Sequence, residues 1–130
     1  MSSILIVEDH AILGKALVRL LTEKAAHNVI GVLGSAEEAL EQLPSLRMDL
    51  ALVDVSLPKM NGIQLVALMH QKQPNLPCLV ISGHLIPLYV QRSLDAGARG
   101  YVLKDDVVGL LEAIPLVLKG EIYISRALRD

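Results

Sequence analysis

Cysteine is nearly missing from these 130 residues: Cys78 stands alone, so no disulfide can form within the chain. A reducing compartment is the natural setting for such a sequence. Basic blocks are missing as well, with 12 Lys and Arg against 14 Asp and Glu and a net charge of −2. A chain with no positive patch has no electrostatic footprint for nucleic acid, and direct DNA or RNA binding by this domain is not expected. No apolar run approaches the roughly 20 residues of a membrane span. No charged start followed by an apolar stretch marks a signal peptide. The expectation is a soluble, cytoplasmic protein without membrane contact. Internal repeats, low-complexity tracts and an obvious linker are also lacking. What is present is a hydrophobic fraction of 52% with 20% charged residues. That balance supplies a core, argues against disorder and suits one compact domain.

Short apolar runs alternate with stretches of helical period. The runs are Ile4-Leu5-Ile6-Val7, Val29-Ile30-Gly31-Val32-Leu33, Leu50-Ala51-Leu52-Val53, Cys78-Leu79-Val80-Ile81 and Tyr101-Val102-Leu103. Continuous runs without alternation suit strands buried on both faces, as in a parallel sheet between helices. The first helical stretch places Leu13, Leu17, Leu20 and Leu21 on one face. Ser35 and Glu38 form a capping box ahead of the second. The third runs from Gly62 to Gln73, the fourth from Pro87 to Ala96 before Gly97, and the fifth from Val107 to Lys119. Strict alternation predicts a doubly wound α/β fold: a five-stranded parallel sheet in the order 2-1-3-4-5, flanked by five helices in a flavodoxin-like arrangement. Pro115 lies inside the fifth helix, and a kink or early break is expected near Leu111 to Ile114.

The polar residues that follow the apolar runs carry the chemistry. Glu8 and Asp9 follow the first, Asp54 the third, Ser82 the fourth and Lys104 the fifth. In a parallel sheet these ends share one edge, and the reversal of strand order opens a crevice there. Three carboxylates held together repel one another unless one is protonated or a cation joins them. A hard divalent ion such as Mg²⁺ (or Mn²⁺) takes oxygen ligands and phosphate oxygens. Lysine offers a mobile positive charge to phosphate, serine a hydroxyl donor, and a carboxylate can act as nucleophile. Singly, each residue has a plainer reading: Asp9 as the cap of the first helix, Ser82 as a turn residue, Lys104 as surface charge. The set, one functional type per strand end, points to phosphoryl chemistry.

With those residues in view, the chain resembles the receiver domains of bacterial two-component response regulators. The matching segments are Ile6-Val7-Glu8-Asp9-His10, Leu52 to Gly62, Val80-Ile81-Ser82-Gly83 and Gly97 to Asp105, in order across almost the whole chain. The resemblance implies that Asp54 is the phosphoacceptor, served by a sensor histidine kinase as partner. It implies that Glu8, Asp9, Asp54 and the backbone carbonyl of Ser56 hold the metal. It makes Lys104 the phosphate-binding lysine, Ser82 the switch hydroxyl and Tyr101 the aromatic that turns inward on activation. Ser56 and His84 match positions that tune dephosphorylation, although a solvated loop histidine is an equally good reading of His84. Pro58 and Gly62 match the loop after the phosphoacceptor.

Asp105 stands where many receivers have proline, and the Leu-Lys-Asp pattern with Lys119-Gly120-Glu121-Ile122-Tyr123-Ile124-Ser125 resembles the NarL/LuxR-type subfamily. In that subfamily a DNA-binding output domain follows. The expected division is a receiver domain over 1–124 and a linker start or tail over 125–130. The alternatives are a stand-alone single-domain regulator acting through protein contacts, or an aspartyl-phosphate phosphatase. The first and fifth helices are apolar on more than one stripe, which predicts a homodimer through both. The apolar segment Leu85 to Val90, around the fourth helix, is expected to report phosphorylation.

Overall fold

The computed structural model describes residues 2–129, so Met1 and Asp130, the outer ends of the two expected segments, lie outside the described residues. Its strands are β1 (Ser3–Val7), β2 (Asn28–Leu33), β3 (Leu50–Asp54), β4 (Cys78–Ser82), β5 (Gly100–Leu103) and β6 (Tyr123–Ile124). The helices are α1 (Ala11–Arg19), α2 (Ala36–Gln42), α3 (Gly62–Lys72), α4 (Pro87–Asp95) and α5 (Val107–Leu118). All strand pairs are parallel, in the order β2-β1-β3-β4-β5-β6. The flavodoxin-like order stands, but the sheet has six strands and not five. The addition, β6, is two residues long and pairs Gly100 with Tyr123 and Tyr101 with Ile124. A run that short carries no periodic signal. Its physical role is to cover the outer edge of β5, whose backbone groups would otherwise lie open.

Each continuous apolar run divides between two cores, because successive side chains leave a strand on opposite faces. Ile4, Ile6, Leu50, Leu52, Leu79, Ile81 and Val102 pack against Leu17 and Leu21 of the first helical region and against Leu110, Ala113, Ile114 and Val117 of α5. Leu5, Val7, Ala51, Val53, Cys78, Val80 and Tyr101 face the other way, toward Ala36, Ala39, Leu65, Val66, Met69 and Val90. β2 departs from the expected burial on both faces. It is the sheet's other edge, and Val32 is 40% exposed.

Two helical details differ from expectation. α1 passes into a π-helical turn over Leu20–Lys24, which leucine spacing alone does not reveal. α5 runs through Pro115 to Leu118 without the early break expected near Leu111 to Ile114. Pro115 costs one backbone bond and sits on the solvent side, while Ala113, Ile114 and Val117 are fully buried against the sheet. Packing of that face outweighs the lost bond. Gly97 ends α4 as expected, in the left-handed region at φ 111°.

Among the described residues, no helix is long and apolar enough to cross a membrane. Cys78 is 2% exposed, and burial pushes its thiol up to about 12. A thiol reagent near pH 8 is therefore expected to modify no cysteine in the native protein and one after denaturation; rapid labelling of the folded chain would contradict the placement of β4.

Candidate functional site

The carboxyl ends of β1, β3, β4 and β5 meet at the crevice where the order reverses between β1 and β3. Asp54 closes β3 and is fully buried. The Ser56 N–H donates to its Oδ1 at 3.1 Å, and Lys104 Nζ donates to its Oδ2 at 3.0 Å. The same ammonium lies 3.4 Å from Glu8 Oε1. Glu8 follows β1 and is buried, and its Oε2 accepts from the His10 N–H at 3.1 Å. Asp9 is exposed, yet it brings a carboxylate oxygen into one group with Glu8 and Asp54, all within 4.8 Å of one another. Asp9 does not cap α1. The N-cap is His10, and no side chain bonds there. The capping reading of Asp9 therefore fails, and its carboxylate is left for the crevice.

Ser82 ends β4, fully buried, and its carbonyl accepts from the Lys104 N–H at 2.8 Å. Its Oγ accepts from the His84 N–H at 2.9 Å. Tyr101 points inward, fully buried, and its hydroxyl donates to the His84 carbonyl at 2.9 Å. His84 Nε2 and Ser56 Oγ lie 3.2 Å apart, and the imidazole meets the Tyr89 ring edge-on with centroids 5.3 Å apart. His84 lies in the exposed loop after β4, so the loop-histidine reading stands, while its backbone and ring also touch Ser82, Tyr101 and Ser56. The structure brings all eight residues expected from the sequence to one edge.

The loop after β3 is built on a close approach. Gly62 opens α3, and a Cβ there would lie 1.9 Å from the Asp54 carbonyl oxygen. Glycine is required by contact here, since its backbone does not take the left-handed conformation found at Gly97. Asn61 and Gln64 form a reciprocal capping box that fixes where α3 begins. Lys59 takes the strained turn position, at φ 60°. Sequence reading missed the Asn61–Gln64 box, although an Asn three residues before Gln signals it. It also missed the His10 N–H, a backbone donor that no residue type announces.

The charges do not balance: three carboxylates face one ammonium. Burial raises the Glu8 pKa above its ordinary value near 4.5, the His10 N–H opposes that, and the charge of Asp54 adds to it. Burial works against the Lys104 ammonium. The hydrogen bond and charge of Asp54, with Glu8, outweigh burial and raise its pKa above the ordinary 10.5. Glu8 Oε1 is buried and, although the Lys104 ammonium lies 3.4 Å away, it accepts no hydrogen bond among the described residues. An unsatisfied buried carboxylate oxygen is costly, and a hard cation satisfies it. The donor set of Glu8, Asp9 and Asp54 therefore fits a divalent metal ion.

The family model of the response regulator receiver domain matches residues 4–114 of this chain. The DNA-binding transcriptional activator DevR/DosR of Mycobacterium tuberculosis is 36% identical over 105 residues, 81% of this chain and 48% of that protein. The nitrate/nitrite response regulator protein NarL of Escherichia coli is 31% identical over 128 residues, 98% of this chain and 59% of NarL. This chain spans about half the length of these curated relatives. Among solved structures, a LuxR-family two-component response regulator from Aurantimonas sp. SI85-9A1 superposes with a TM-score of 0.94 at 26% identity, covering 98% of this chain and 92% of that one. The receiver domain of the response regulator NarL from M. tuberculosis gives 0.85 at 30% identity, covering 92% and 98%.

A raised Glu8 pKa means that the folded chain holds this proton more tightly than the unfolded chain. Its contribution to stability is full below about 4.5 and is lost as pH rises through the raised value. Without metal at neutral pH, Glu8→Gln is expected to unfold about 2–5 °C above the wild type, with the gap closing toward pH 4. Added Mg²⁺ should raise the midpoint of the wild type and leave that of the variant nearly unchanged. Thermal scans across pH, with and without MgCl₂, check both signs.

Proposed function

The chain belongs to the response regulator receiver domain family, and on that premise we propose that Asp54 accepts a phosphoryl group from a sensor histidine kinase. The observation that supports this most is Lys104 reaching both buried carboxylates, Asp54 at 3.0 Å and Glu8 at 3.4 Å, with Asp9 beside them. That arrangement neutralises a carboxylate and leaves a cation poised for a transferred anion.

Receiver domains are not enzymes in the usual sense. On this reading the chain carries out only its own phosphotransfer and dephosphorylation. An Asp54 oxygen attacks phosphorus, the bond to the donor's imidazole nitrogen breaks, and the leaving imidazole takes up a proton. Mg²⁺ held by Glu8, Asp9, Asp54 and the Ser56 carbonyl would shield the negative charge of the incoming group. Lys104 turns from the carboxylates to a phosphoryl oxygen, and Ser82 donates to another. Ser56 and His84, 3.2 Å apart at the mouth, control water access and so the phosphate lifetime. Tyr101 already points inward in this structure, and on this reading the movement of Ser82 toward the phosphoryl group stabilises that position, a population shift between two states.

The readout fits a longer regulator. DevR/DosR is named as a DNA-binding transcriptional activator, and this chain would control such an output domain from a cytoplasmic location. α5 also turns an apolar stripe outward through Val107, Leu111, Pro115 and Leu118. α1 lies on the same face of the sheet and exposes Ile12, 87% open to solvent. That pairing supports a homodimer through α1 and α5.

Incubation with acetyl phosphate and Mg²⁺ should add one labile phosphoryl mass to the wild type and none to Asp54→Ala. Sustained donor hydrolysis would favour a phosphatase, and no mass gain would favour a module that acts by contact alone. Sedimentation with beryllofluoride should show a dimer that Leu111→Glu abolishes; a monomer at every concentration would exclude that interface.

A further inference from the structure

β6 brings the end of the chain back to the strand that leads into Lys104. The Ser125 N–H donates to the Tyr101 carbonyl at 3.0 Å, one step beyond the paired residues of β6. Its hydroxyl does more. Ser125 Oγ accepts from the Leu103 N–H at 3.0 Å and donates to Asp106 Oδ2 at 2.7 Å. The other carboxylate oxygen, Asp106 Oδ1, accepts from the Gly109 N–H at 2.8 Å and so caps α5. Gly109 leaves room for this: a Cβ there would sit 2.0 Å from Asp106 Oδ2. Ser125 is 1% exposed, so water does not compete for these bonds.

The residues pinned in this way flank Lys104. Leu103 is held by Ser125, Lys104 by the Ser82 carbonyl at 2.8 Å, and the Asp106 N–H by the Leu103 carbonyl at 3.0 Å. The lysine backbone is thus anchored to β4 directly and, through the preceding Leu103, to the C-terminal segment. That segment is gripped further along. Arg129 Nε donates to the Ile124 carbonyl at 2.7 Å, and its guanidinium lies 5.0 Å from the centroid of the Tyr123 ring. Tyr123 in turn donates to Glu112 Oε2 of α5 at 3.0 Å.

We infer that Ser125 is a positioning residue for Lys104, and that residues 123–128 form a strap whose hold on β5 strengthens when an anionic group sits at Asp54. The inference rests on the receiver reading, because it requires that anion. Its physical basis is linkage. If docking of the strap orders the turn that presents Lys104, occupancy of Asp54 must favour docking of the strap by the same factor. The strap is thereby a second output of the site, separate from the inward position of Tyr101.

The test uses beryllofluoride as the phosphoryl mimic on the full chain, with Mg²⁺ present. Ser125→Ala should bind beryllofluoride roughly five- to tenfold more weakly, while its affinity for Mg²⁺ alone stays level or rises. General loosening of the fold would lower both. In the wild type, hydrogen exchange at the Leu103 and Ser125 amides should slow about fivefold or more when beryllofluoride binds, a measurement that needs no variant. Equal beryllofluoride affinity in Ser125→Ala, or unchanged exchange at both amides in a wild type that does bind, overturns the inference and leaves the receiver reading intact. A wild type that takes up neither beryllofluoride nor a phosphoryl group overturns the receiver reading itself.

Discussion

The Lys104–Asp54 ion pair, 3.0 Å long, crosses from β5 to β3 over the top of β4. It joins strand ends fifty residues apart in sequence, and much of the site is arranged around it. A buried carboxylate is costly to leave unpaired, and one ammonium shared between Asp54 and Glu8 offsets only part of that cost. The rest of the imbalance makes the crevice receptive to a cation and, beside it, to an anion. A site fully neutralised by protein groups would be more stable and chemically idle.

Rigid supports hold that imbalance in place. Asp54 cannot retreat, because its own carbonyl backs onto the glycine that starts α3. Lys104 cannot drift at its backbone, because its N–H is bonded to Ser82 in the neighbouring strand. What can move is the lysine side chain, 23% exposed, together with the hydroxyls around it. Hydrogen bonds then link Ser82 to the His84 N–H and the His84 carbonyl to the Tyr101 hydroxyl, so the fixed backbone and the freer side chains share one network.

Most of the fold was legible because its signals are local. Five apolar runs, the Ser35 cap, Gly62 and Gly97 fall near the observed boundaries, and the residues at the strand ends follow once the sheet is parallel. What escaped has no local signal. β6 is too short for periodicity, and its place depends on the free edge of β5, which only the folded sheet presents, where Gly100 pairs with Tyr123 and Tyr101 with Ile124. The uninterrupted α5 depends on which side of the helix Pro115 faces, a property of packing. Ser125 is an ordinary serine in sequence, and its role comes from meeting Leu103 and Asp106 across 22 and 19 residues of chain. The nominated residues meet at one sheet edge because each follows a strand of a parallel sheet, so their placement was legible from strand-end position.

The aromatic side chains add a consequence of another kind. The chain has no Trp and no Phe, so Tyr89, Tyr101 and Tyr123 are its only strong near-ultraviolet chromophores. All three lie in the region linked to Lys104: one against His84, one buried in β5, one in β6 beneath Arg129. Near-ultraviolet circular dichroism of the unlabelled protein therefore reads the neighbourhood of Lys104 almost without background, and a titration can be followed optically in the native sequence.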